Sequence, residues 1–124
     1  MTDADYGDLV PAAFDRHTIV LLVRPADAPS FAPDELDALQ REHLRYLRDL
    51  GRDGVVVANG PFAVADDERV RGMTVYAVGR EEAERLARAD PMVRAGRLAI
   101  EVREWVTGRG SVAFPPDGWP RGSG

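Results

Sequence analysis

The stretch Leu98-Ala-Ile-Glu-Val-Arg-Glu-Trp-Val106 decides how the rest of the chain is read. Leu98, Ile100 and Val102 alternate with Ala99, Glu101, Arg103 and Trp105, the period of two that a half-buried strand requires. Before it, residues 80–90 (REEAERLARAD) carry Glu81 and Glu82 in a first turn and Ala83, Leu86 and Ala87 on one side, an amphipathic helix that Pro91 closes or redirects. Farther back, Gly54 to Asn59 (GVVVAN) and Gly72 to Val78 (GMTVYAV) have strand composition and form a hairpin around the polar loop Ala65 to Arg69. The first of these two strands is expected to end at Gly60-Pro61. Pro33, followed by Asp34 and Glu35, opens a helix that runs to about Leu50 and stops at Gly51. Ahead of it, His17 to Arg24 (HTIVLLVR) is rich in β-branched residues and apolar on both alternating faces, as in a strand covered on both sides. The order β-α-β-β-α-β predicts an α+β, ferredoxin-like fold, a four-stranded antiparallel sheet with two helices on one face.

Around this domain, residues 17–106, lie an irregular lead-in of residues 1–16, interrupted by Pro11, and a Gly/Pro-rich tail of residues 107–124. The tail carries isolated Val112, Phe114 and Trp119, expected to dock on their own domain or on a partner. With 124 residues, 44% hydrophobic and 30% charged, the chain suits one domain that buries its own core. The net charge of −5 and the scatter of basic residues argue against nucleic acid. No run approaches a bilayer span, and Asp3, Asp5 and Asp8 occupy the place of a signal peptide's basic region, so a cytoplasmic protein without membrane contact is expected. The absence of cysteine excludes disulfides, thiolate metal sites and a thiol nucleophile. All 16 basic residues are arginine, which excludes lysine-based catalysis.

A one-sided helix layer leaves the other sheet face without cover, although the first strand is apolar on both faces. A second copy of the chain is the economical cover, so a homodimer is expected, with Trp105 or Tyr76 at or near the contact. Glu101 and Arg103 share the side of Trp105, where an inter-subunit ion pair is one expectation. His17 has no acid placed by pattern and is expected to be exposed.

Chemistry concentrates on His43. Leu36, Leu39, His43, Leu47 and Leu50 share one face of the first helix, so the imidazole points inward, while Arg41, Glu42, Arg45, Arg48 and Asp49 lie toward solvent. By helical spacing from Ala83 and Leu86, Asp90 lies on the inner face of the second helix. Two readings of Asp90 are compatible, because a carboxylate has two oxygens. It caps a new short turn from Pro91 to Gly96, or it faces His43 and orients the ring. A lone histidine on an apolar face is more often a satisfied core residue than a catalyst, and spacing alone does not separate these cases.

Glu42-His43-Leu44 in the first helix, Ala58-Asn59-Gly60-Pro61 closing the second strand, and Ala89-Asp90-Pro91-Met92-Val93-Arg94-Ala95-Gly96 after the second helix together resemble the YCII-like (YCII-related domain) family over about residues 17–106. The resemblance implies a dimeric α/β-barrel arrangement of ferredoxin-like subunits and a His–Asp pair in a cleft, with His43 and Asp90 at the matching positions. Family members include a dehydrochlorinase acting on an aromatic ring. Gly60 and Pro61 match the family pattern and are expected to border the cleft, and Arg94 is a candidate fixed positive charge for an anionic substrate.

Two functions compete. One is a cofactor-independent lyase, isomerase or dehydrochlorinase-like enzyme acting on a small molecule, with His43 moving a proton and Asp90 holding the ring. No metal is expected, since two histidines and no cysteines make a dedicated site improbable. The other is a non-catalytic metabolite-binding or dimeric scaffold module, which the same fold permits. A hydrogen-bonded pair beside a solvent-connected pocket favours the enzyme; a sealed pair favours the structural role.

Overall fold

The structure, a computed structural model, describes residues 6–63 and 68–115. Its elements are β1 (Phe14–Val23), α1 (Pro33–Arg52), β2 (Val56–Pro61), β3 (Val70–Tyr76), α2 (Arg80–Arg88), the single turn α3 (Pro91–Arg94) and β4 (Ala99–Gly108), after a short 3-10 turn at Gly7–Leu9. The four strands form one antiparallel sheet in the order β2-β3-β1-β4, the ferredoxin-like topology. The strand most apolar on both faces, β1, lies inside the sheet between β3 and β4. Among the described residues no helix is long and apolar enough to cross a membrane.

Alternation along the strands sorts their side chains. Val20 and Leu22 of β1, Tyr76 of β3 and Val102 of β4 face the helices and pack with Ala83 and Ala87 of α2 and Met92 of α3. Leu36, Leu39 and Leu50 of α1 pack against this cluster, as their spacing predicts. The opposite parity, Ile19 and Leu21 of β1 beside Val75 and Met73 of β3, forms the face without helices. Tyr76 is therefore a core residue, 1% exposed, and not part of a dimer face. Trp105 does lie on the helix-free side, opposite His17 in the β1–β4 register. Glu101 is engaged within the chain, 2.9 Å from Arg69 and 3.6 Å from Arg103.

Several boundaries differ from expectation for local reasons. β1 starts at Phe14, not His17, and β4 runs to Gly108, because Phe14 pairs with Gly108 and the ladder carries the polar Asp15 and Arg16 with it. Past the strand, Arg109 N–H donates to the Ala13 carbonyl (3.0 Å) and Gly110 N–H to the Asp15 carboxylate (2.9 Å). Phe114 then meets His17 edge-on at 5.1 Å, so this histidine is half-buried and not exposed. Trp119 lies outside the described residues.

α1 continues past Gly51, which is buried inside the helix. It stops at Gly54, whose φ of 77° suits the left-handed position after the cap. There Gly54 N–H bonds to the Gly51 carbonyl and Val55 N–H to that of Leu50, a Schellman closure. β2 runs through Gly60 and ends at Pro61, since at the sheet edge a proline costs no ladder bond. Opposite, a Cβ at Gly72 would stand 2.7 Å from the Gly60 carbonyl oxygen and 3.0 Å from Pro61 Cα, so only glycine lets the two backbones approach this closely.

Burial holds the Tyr76 phenol far above its ordinary range, and Tyr46 and Asp90 nearby push it the same way. A folded pKa above the unfolded one contributes stability that is complete below the unfolded value, about 10, and is lost as pH rises beyond it. Urea melts should show the wild type losing stability above about pH 10, and Tyr76→Phe losing less of it over the same range.

Candidate active site

His43 reaches inward from the middle of α1 and is 8% exposed; Asp90, 2% exposed, meets it. Imidazole Nδ1 lies 2.8 Å from Asp90 Oδ1 and 2.7 Å from Oδ2. The same carboxylate is the N-cap of α3, its Oδ1 accepting from the Met92 N–H at 2.8 Å, with Pro91 at the first helical position. Both readings of Asp90 are thus realised in one side chain. The turn closes at Gly96, with φ 76°, where Gly96 N–H bonds to the Val93 carbonyl and Arg97 N–H to that of Met92. Tyr46, almost one turn beyond His43, donates to the Leu86 carbonyl at 2.8 Å and ties α1 to α2. Burial, and next the Asp90 charge, raise its phenol above the usual value.

An ionised carboxylate only accepts hydrogen bonds, so Nδ1 carries the proton and donates it to Asp90. Nε2 is then the ring nitrogen left for other chemistry. Beside the ring lies a cleft, open to solvent on one side, with a cavity volume of about 280 Å³. Its apolar wall includes Leu22, Met92 and Leu98; Gln40 and His43 come from α1, and Asn59, Gly60 and Pro61 from the end of β2. The buried Thr74 hydroxyl donates to Asn59 Oδ1 at 2.8 Å, which leaves the amide NH2 of Asn59 as a donor.

The Gly60-Pro61 segment borders the cleft. Arg94 does not: the turn that buries Met92 leaves Arg94 exposed and outside the residues lining the cavity. Among the described residues the arginines lining the cleft are Arg24, just beyond β1, and Arg71 on β3, neither of which the sequence reading singles out. Arg24 continues the parity of Val20 and Leu22, a signal that was available. Arg71 lines the cleft only because β2 and β3 pair as they do at the sheet edge. Burial first, and then the charges of Arg97 and Arg71, lower the Arg24 pKa from its usual value. Among the described residues no group of three or more His, Cys, Asp or Glu side chains is placed to hold a metal ion.

A ferredoxin-like chain with a buried His–Asp pair opening on a cleft defines the class of molecule. The YCII-related domain family matches residues 18–106, well over half of the chain, and the protein belongs to that family. No curated protein matches it significantly.

Asp90→Ala removes both the cap and the acceptor for a buried N–H and should destabilise the protein by on the order of 3 kcal/mol. Asp90→Asn can still cap through its carbonyl oxygen and should cost clearly less. Urea denaturation of the two variants measures the difference, and equal losses would remove the cap from the account.

Proposed function

We propose that the His43 cleft is the active centre of a small-molecule enzyme, a lyase, isomerase or dehydrochlorinase-like catalyst that works by proton transfer. The observation that carries this reading is the pairing itself: a buried carboxylate grips Nδ1 while the ring lines an open cavity. A histidine kept only for packing has no need of a solvent-connected cleft, and a sealed pair would have suited the scaffold reading better.

In this scheme Nε2 takes a proton from a carbon beside an electron-withdrawing group, and Asp90 stabilises the imidazolium that forms. In an elimination the C–H bond breaks, its electron pair forms the new double bond, and the leaving group departs with the electrons of its own bond. In an isomerisation the proton returns to another carbon. Gly60 and Pro61 serve as cleft wall, and imidazole and carboxylate suffice, so no cofactor is required. A screen of activated phenols, lactones and related cyclic anions should find a substrate whose turnover falls by about 10²–10⁴-fold in His43→Ala. Equal turnover in both proteins would remove His43 from the chemistry.

The helix-free face, with half-buried Ile19, Leu21 and Met73, is proposed to pair with a second copy of the chain. Light scattering at micromolar concentration should return a dimer mass, and Ile19→Asp should shift it toward the monomer; a monomeric wild type would contradict the pairing.

A further inference from the structure

We propose that the cleft takes small organic carboxylates, the anionic group being held by Arg24 and Arg71 while the apolar part of the ligand lies on the wall beside His43. This deepens the proton-transfer reading and rests on the same cleft. Four observations carry it. Arg24 and Arg71 line the cavity that His43 lines, and among the described residues no Asp or Glu lines it with them. Among the described residues no carboxylate forms an ion pair with Arg24, Arg71 or Arg97; the side-chain bond found for Arg71 goes from Nη1 to the Glu68 carbonyl, at 3.3 Å. The Nε atoms of Arg24 and Arg97 are buried and have no hydrogen-bond partner, which is costly for groups that strongly prefer to donate. Finally, Arg97 and Arg71 act on the charge of Arg24, so three like charges gather in a protein whose net charge is −5.

Such a gathering is unfavourable by itself and becomes favourable when an anion enters. The planar guanidinium fork matches a carboxylate, and Asn59 adds a neutral donor on the neighbouring strand. The lining is not uniformly polar: Leu22, Met92 and Leu98 offer a surface for a ring or branched chain, which an inorganic anion would leave unused. The cavity of about 280 Å³ is near the lower limit for small-molecule sites, so a ligand of roughly one ring with its substituents fits better than a nucleotide. The carboxylate's own charge opposes a second negative charge beside it, so withdrawing a neighbouring proton costs least where the new charge is delocalised away from the carboxylate, which favours unsaturated or aromatic acids.

The test titrates the full chain with benzoate, phenylacetate and cyclohexanecarboxylate, with benzamide as the neutral counterpart of benzoate and inorganic phosphate as the anion without an apolar part. Calorimetry gives affinity, and the His43 ring resonances report whether the probe enters the cleft. At least one carboxylate should bind with a dissociation constant on the order of 1 mM or below, shift the His43 resonances and bind more tightly than benzamide and phosphate. Arg24→Gln and Arg71→Gln should each weaken it by about tenfold to a hundredfold. Because either change relieves repulsion, the unliganded variants should melt no lower than the wild type, whereas arginines present for structure alone would melt lower when replaced. No carboxylate binding at all, affinity unchanged by both substitutions, or benzamide binding as tightly as benzoate would overturn the proposal. His43→Ala separates the two readings: carboxylate binding retained there, with no turnover of any substrate in the wild type, sinks the catalytic reading alone. Turnover of neutral substrates only, with the arginine substitutions silent, sinks the carboxylate proposal alone.

Discussion

The contact between the Asp90 carboxylate and His43 Nδ1 joins the middle of α1 to the start of α3, and the rest of the site depends on it. One oxygen starts α3 by capping Met92 N–H, and both oxygens lie within hydrogen-bond distance of an imidazole presented by the middle of α1. The contact therefore fixes the approach of α1 to the turn that leads into β4. A buried ionisable pair is weak evidence for stability, because desolvation offsets much of the attraction. Its place in a core built largely of Val, Leu, Ala, Met and Tyr makes sense if the ring must stand in one orientation and one tautomer. The fold supplies that orientation from two directions, through the cap at Asp90 and through Tyr46, whose hydroxyl anchors α1 to the end of α2.

The charge distribution gives the cleft a second property. Some surface carboxylates of the helices are matched locally, as in the Arg88–Glu84 pair at 2.7 Å and the contact between Arg85 and Glu82. Such exposed pairs contribute little to stability, since solvent and salt screen them. Arg24 and Arg71, by contrast, line the cleft beside His43, and the charge of Arg97 acts on Arg24 there. A chain of net charge −5 thus places two arginines in the cavity that His43 lines, an arrangement that suits a small anion.

Much of this was legible in the chain. Period-two alternation in residues 98–106, the Pro33 start and the Asp90-Pro91 turn point to the topology and put His43 and Asp90 on inner faces, because each joins a local propensity to a burial pattern that agrees with it; that the two meet is what the family resemblance implies. What was not legible depended on register. The extension of β1 back to Phe14 follows from its pairing with Gly108, and the half-burial of His17 follows from a tail that folds back over β1; neither is written in the local pattern of residues 14–17. Tyr76 read as a possible dimer-face residue because its parity relative to the helices could not be fixed until β3 was paired with β1. Arg94 reads from sequence either as a fixed positive charge for an anionic substrate or as a solvated arginine on a short turn, and the one-turn helix that buries Met92 leaves it exposed. The arginines that do line the cleft are Arg24, just past the end of β1, and Arg71 on β3, and the pairing of β1 with β3 brings the second of them beside the first.

The central claim is that Asp90 holds His43 with its proton on Nδ1, which leaves Nε2 as the ring nitrogen without a hydrogen. Long-range nitrogen–proton correlation spectra of the imidazole, recorded where the ring is neutral, report the tautomer directly. The account predicts an Nδ1–H tautomer in the wild type, and loss of that single preference in Asp90→Ala. A neutral ring protonated at Nε2, or a tautomer population unchanged by removal of the carboxylate, would contradict it.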